Sequence, residues 1–116
     1  MTHRLCTLHE IGDKGKEVLL QIDGKTVNIM LFRRQSRVCA FHNVCPHQGR
    51  NLNYAPDQFM FTPEGLLVCA HHGACFSLDD GVCVMGPCAG ARLKSVAVVE
   101  RDNEVWLDPS SEIVAG

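Results

Sequence analysis

Two short segments, Cys45-Pro46-His47 and Cys69-Ala70-His71-His72-Gly73, constrain this chain more than any other feature, because each offers a thiolate and an imidazole at metal-ligand spacing. Together they make one four-ligand set. Two sulfurs and two nitrogens suit a tetrahedral zinc ion, and they equally suit a two-iron cluster with imidazoles on one of the irons. The ligand types leave both open.

The length of 116 residues allows one modest core and no second domain with a pocket of its own, so a single domain over 1–116 is expected. With 46% hydrophobic residues and a formal net charge of -2, there is no electrostatic case for nucleic acid or an anionic membrane surface. The start, Met1-Thr2-His3-Arg4-Leu5-Cys6, lacks the apolar stretch of a signal peptide, and no segment approaches the roughly 18 apolar residues of a membrane span. A cytoplasmic protein with no membrane segment is expected. Seven cysteines are an odd count without an export signal, which argues against a disulfide framework. Cys6, Cys39, Cys75, Cys83 and Cys88 read as small buried hydrophobes, with Cys75 and Cys88 in segments that approach the metal site.

Strand signals recur along the chain. Glu17 to Ile22 and Lys25 to Arg33 flank Asp23-Gly24, the dipeptide suited to a type I′ hairpin. Val38 to His42 reads as a third strand that delivers the chain to Cys45, and Leu66-Leu67-Val68 as another that ends at Cys69. From Gln48 to Pro63 neither helical nor strand periodicity holds, so a structured loop is expected. Phe76-Ser77-Leu78 and Val82-Cys83-Val84 flank Asp79-Asp80-Gly81, a second hairpin signal, and Gly86-Pro87 cannot continue a ladder. Leu93 to Glu100 and Glu104 to Leu107 pair across Arg101-Asp102-Asn103. Nothing carries a sustained 3.6-residue period, so the fold class is all-β, an antiparallel sandwich or barrel, with a loose tail over 108–116.

Cys-x-His-x-Gly at 45, 47 and 49, Cys-x-x-His-Gly-x-x-Phe at 69, 72, 73 and 76, then Asp-Gly at 80 and 81 and Gly-Pro at 86 and 87 together resemble the Rieske-type [2Fe-2S] ferredoxin family over roughly residues 4 to 107. The resemblance implies a Rieske-like β-sandwich with a cluster-binding subdomain, about residues 43–90, inserted into a larger base domain. It implies one [2Fe-2S] cluster, with Cys45 and Cys69 on one iron and His47 and His72 on the other. Two ferric irons, two sulfides and two thiolates carry no net formal charge, and this is why imidazole ligation raises the potential to roughly -150 to +300 mV. Arg50 and His71 stand where high-potential relatives place a disulfide, and Ala74 and Phe76 where they place hydroxyl donors, which implies a potential near the low end.

The function so implied is that of a soluble one-electron carrier between a reductase, expected to be a flavoprotein, and a terminal oxygenase or other redox enzyme. The alternative is a small Rieske subunit of a larger oxidoreductase, such as a nitrite-reductase type, and a zinc-binding structural module ranks below both. No catalysis by the chain alone is expected, since no spare trio of two histidines and a carboxylate is spaced for a second iron. His71 neighbours His72, but Gly73 and Phe76 set the family register on His72. The 21 residues between His47 and Cys69 exceed what is usual for the family, and Tyr54, Phe59 and Phe61 in that span are expected to form a satellite core. Arg33, Arg34 and Arg37 read as a solvated face.

Overall fold

The run Ile29–Phe32 is apolar on both parities of a strand, which a strand with one solvated face does not tolerate. The computed structural model, which describes residues 3–34, 36–46, 49–71 and 73–108, shows why. Strands β2 (Lys16–Ile22), β3 (Lys25–Arg34) and β4 (Arg37–His42) form one antiparallel sheet with β3 in the centre. Val27, Ile29 and Leu31 enter one core while Met30 and Phe32 enter another, so this sheet is the middle layer of the fold. The β2–β3 turn has φ of 51° at Asp23 and 77° at Gly24, the pair of positive values that a type I′ turn requires.

On one side lies the sheet β1–β10–β9, made of β1 (Arg4–Thr7), β9 (Val98–Arg101) and β10 (Glu104–Leu107). Asp102 and Asn103, at φ of 54° and 63°, turn β9 into β10 without glycine, a conformation these two residue types tolerate best. Leu5, Cys6, Ile29, Leu31, Ala40 and Val105 fill the space between this sheet and the middle one. Strand β1 and the 3-10 turn Leu8–Glu10 carry no periodic signal and were not expected. The strand expected from Leu93 begins only at Val98, because the preceding segment pairs with β4 instead: His42 N–H donates to the Lys94 carbonyl at 2.9 Å and Val96 N–H to that of Ala40 at 2.9 Å.

On the other side lies the sheet β5 (Met60–Phe61), β6 (Leu67–Val68), β7 (Cys75–Phe76) and β8 (Cys83–Met85), in that order. Strand β5 corrects the expectation of a strand-free stretch up to Pro63; two residues are too short for a period, and pairing with β6 fixes them. Phe59 is fully buried and meets Phe32 edge-on at 5.0 Å, and Phe61 does the same at 5.7 Å. Both therefore belong to the main second core rather than to a satellite one, each edge-on pair adding about 0.5–1.5 kcal/mol beyond area burial. Tyr54 is exposed.

Every paired strand among the described residues is antiparallel and no α-helix is present among them, which matches the expected all-β class and its sandwich of layers. No helix is long and apolar enough to cross a membrane among the described residues. His47, His72 and the tail from Pro109 lie outside the described residues.

Candidate metal centre

Cys45 and Cys69 stand at the base of two loops built on one hydrogen-bond plan. Cys45 N–H donates to the Arg50 carbonyl at 2.7 Å, and Gly49 N–H donates back to the Cys45 carbonyl at 2.8 Å. In the second loop Cys69 N–H donates to the Ala74 carbonyl at 2.7 Å, and Gly73 N–H to the Cys69 carbonyl at 3.0 Å. The partners sit at the same offsets, four and five residues after each cysteine. Gly49 and Gly73 take φ of 71° and 75° with nothing near a would-be Cβ, so their backbone conformation, not crowding, calls for glycine. Ala70 N–H donates to the Leu52 carbonyl at 3.1 Å and ties the loops together.

A third segment leans on this pair. Gly86, at φ of 102°, lies so close to the second loop that a Cβ would stand 2.8 Å from Ala74 Cα. Pro87 follows and stiffens the approach. Cys88 then lies against both Cys83, whose sulfur accepts from the Cys88 thiol at 3.2 Å, and Cys45. Burial, reinforced by the contact with Cys83, pushes the Cys88 thiol up to about 12, so at neutral pH it stays protonated.

Both Cys45 and Cys69 are 1% exposed and sit in the core with Met30, Phe32, Phe59 and Phe76. Above them the loop tips are open: Pro46, Gly49, Arg50, His71 and Gly73 are exposed, as are the apolar Val44, Val84 and Met85. Sulfur donors are thus screened beneath an exposed rim. His71 is exposed as expected. Arg34 Nη1 reaches Asp79 Oδ1 at 3.9 Å on the hairpin surface, with both side chains in solvent, which fits the reading of that arginine group as a solvated face.

Beneath the first loop lies a polar network that no motif announces. Asn43 is fully buried; its oxygen accepts from Leu52 N–H at 2.8 Å and its amide nitrogen donates to Asn53 Oδ1 at 2.9 Å and Glu17 Oε2 at 3.4 Å. Asn28 donates to the same Glu17 oxygen at 2.7 Å, and Asn53 to the other at 3.3 Å. One carboxylate on β2 therefore gathers three carboxamides, two of which flank Cys45 in sequence. The one signal available is an asparagine two residues before an expected ligand cysteine, too common to act on.

Among the described residues no disulfide is formed. Cys6, Cys75 and Cys83 are buried and Cys39 and Cys88 half-buried, in line with the default reading of them as small hydrophobes. Of the four expected ligands, the described residues hold Cys45 and Cys69 only, and among them no group of three or more His, Cys, Asp or Glu side chains is arranged to hold a metal ion. Two buried thiols on matched loops supply the soft sulfur donors that an iron–sulfur cluster takes.

An antiparallel β-sandwich that presents one cysteine on each of two like-built, glycine-turned loops fits an iron–sulfur domain. The chain belongs to the Rieske [2Fe-2S] domain family, whose model matches residues 2–100, and it carries that family's single [2Fe-2S] cluster; the zinc alternative is set aside. Among solved structures, the ferredoxin of carbazole 1,9a-dioxygenase from Nocardioides aromaticivorans IC177 is similar at a TM-score of 0.72 and 23% identity, over 95% of this chain and 99% of that one. The terminal oxygenase of carbazole 1,9a-dioxygenase from Novosphingobium sp. KA1 is similar at 0.71 and 23% identity, over 97% of this chain and 31% of that one. The reduced complex between oxygenase and ferredoxin in carbazole 1,9a-dioxygenase is similar at 0.71 and 19% identity, over 91% and 27%. At these identities the likeness is one of fold. No curated protein matches the chain.

Proposed function

We propose that this chain is a ferredoxin, a one-electron carrier between a reductase and a terminal oxygenase or other redox enzyme, acting in the cytoplasm. Cys45 and Cys69 hold one iron of its cluster and His47 and His72 the other, within a cluster-binding unit of about residues 43–90. The observation that carries this reading is the repeated loop plan, which sets Cys45 and Cys69 in equivalent positions beneath a shared exposed rim. When bound, the cluster accepts and releases a single electron.

The protein's own residues prepare that exchange. Phe59, Phe76 and Leu67 exclude water from the cysteine side, where a thiolate's negative charge interacts most strongly with its partners. Ala74 and Phe76 are both fully buried and bring no hydroxyl to the sulfurs, which supports a potential near the low end of the family's range. Val44, next to Cys45, and Met85, next to the Gly86 that abuts the second loop, are exposed apolar side chains of the kind that transient redox partners cover in interfaces of less than about 1,200 Å².

Paramagnetic resonance of the dithionite-reduced protein tests the ligand set. Mixed nitrogen and sulfur ligation gives a lower average g than four cysteines do. A signal of the four-cysteine kind overturns the ligand assignment. Reduction by a flavoprotein reductase and reoxidation by an oxygenase test the carrier role; a chain that exchanges electrons with neither is not a ferredoxin.

A further inference from the structure

We propose that Cys83 and Cys88 form a redox-active dithiol that closes to an intramolecular disulfide by exchange with a low-molecular-weight disulfide such as oxidised glutathione. The proposal concerns neither iron ligands nor the electron carried by the cluster. It rests on the placement of two sulfurs that the family motif leaves unused.

The loop from Gly86 to Gly90 is pinned to the first residue of β8. Cys83 N–H donates to the Ala91 carbonyl at 2.7 Å, Gly90 N–H donates to the Cys83 carbonyl at 2.8 Å, and Ala91 N–H donates to the Cys88 carbonyl at 2.9 Å. These bonds fold the loop back over its own origin and bring the Cys88 thiol to 3.2 Å from the Cys83 sulfur. A covalent S–S bond measures about 2.05 Å, so the sulfurs stand roughly 1 Å from bonding distance. The Cys83 thiol in turn donates to the Met85 carbonyl at 3.2 Å, while the nearby Cys75 thiol is committed to the Gly73 carbonyl at 3.4 Å. The pairing is therefore Cys83 with Cys88 and not with Cys75.

Exposure sets the order of events. Cys88 is half-buried beside the exposed Gly86-Pro87 tip, whereas Cys83 is 1% exposed. Cys88 sulfur attacks one sulfur of the small disulfide, whose S–S bond breaks; the first small thiol leaves with the proton that Cys88 gives up. Cys83 sulfur then attacks Cys88 sulfur in the mixed disulfide, and the second small thiol leaves with the proton of Cys83. Two protein thiols are oxidised and one external disulfide is reduced to two thiols. The second step is internal and needs no solvent access to Cys83.

Closure removes the S–H that Cys88 holds beside Cys45. The effect of that loss on the cluster rests on the reading of Cys45 as an iron ligand, whereas the disulfide itself does not.

The test uses the cluster-loaded protein. It is incubated with oxidised glutathione until the thiol count stops changing, because a protonated thiol exchanges slowly. Exchange is then quenched with acid, and the remaining thiols are trapped with N-ethylmaleimide in neutral denaturant and counted by mass. Expected are two fewer trapped thiols than in the untreated protein, reversal by dithiothreitol, and, after cyanogen bromide cleavage at Met85, two fragments that stay joined through Cys83 and Cys88 until reduced. In Cys83→Ala a glutathione adduct on Cys88 persists. Full trapping of both thiols in the treated protein, or a lasting adduct on Cys88 with Cys83 present, overturns the proposal. Absence of any adduct in Cys83→Ala overturns the order of attack. The visible spectrum, read on the same sample, reports the cluster separately, so a colourless preparation that still closes the disulfide counts against the ligand assignment and not against the dithiol.

Discussion

The buried amide of Asn43 donates a 2.9 Å hydrogen bond to the side-chain oxygen of Asn53, joining the end of β4 to the long loop that follows Cys45. Glu17 receives both side chains from below. The loop carrying Cys45 is thus held from beneath by side chains, independently of any metal. Removing the Asn43 carboxamide strands the Leu52 N–H and withdraws a donor from Asn53 and Glu17. Asn43→Ala should lower stability by about 2–3 kcal/mol, since each buried polar group left unpaired costs roughly 1–3 kcal/mol. Asn43→Asp should be worse, because it sets a second carboxylate against Glu17, and Glu17→Gln should recover part of that loss. Urea denaturation of the four proteins measures it; equal midpoints for Asn43→Asp with and without Glu17→Gln would remove the charge argument.

Gly86 and Gly90 share left-handed backbone, at φ of 102° and 94°, but only Gly86 has no room for a Cβ. Gly90→Ala should cost only the backbone strain of roughly 1–3 kcal/mol. Gly86→Ala adds the clash with Ala74 and should cost clearly more, while shortening the lifetime of the visible absorption on dilution. Comparable unfolding midpoints for the two variants would show that the loop yields.

Cys45→Ser and Cys69→Ser should each abolish the visible absorption, whereas Cys39→Ser, on β4 and off the two loops, should keep it at full intensity per protein. Absorption with iron and sulfide analysis decides this. Retained absorption in either of the first two variants would mean that a different sulfur holds the iron.

His42 titrates below the ordinary histidine range because burial, aided by Lys94, opposes its charge. Its folded value is the lower one, so between that value and the unfolded value near 6.5 the unfolded chain binds more protons. Stability is therefore complete above about pH 6.5 and declines as pH falls through that window. His42→Gln should flatten this part of the pH–stability curve between pH 7.5 and 5. An unchanged slope would assign the acid sensitivity to other groups.

The motif behind the candidate metal centre is legible without coordinates, since ligand chemistry demands particular residue types at short spacings, and Cys45 and Cys69 each stand four residues before a glycine, Gly49 and Gly73, that turns its loop. The hairpin at Asp23-Gly24 is legible for the same reason: a local turn geometry admits few residues. What spacing cannot carry is any contact made by residues distant in the chain. Strand β5 is two residues long and exists through its pairing with β6. Phe59 reads as loop until it meets Phe32, and Glu17 as an ordinary strand residue until it faces three asparagines.

Sequence alone pointed to the all-β class and to a [2Fe-2S] cluster, because motif and turn chemistry are short-range and unforgiving in residue type. Tertiary structure decided that a twice-buried middle sheet carries both cores, that the two cysteine loops share one hydrogen-bond plan, and that Cys88 comes to rest on Cys83 and Cys45. These depend on packing and backbone bonding across the fold, where many sequences satisfy the same constraint and no single residue announces its partner.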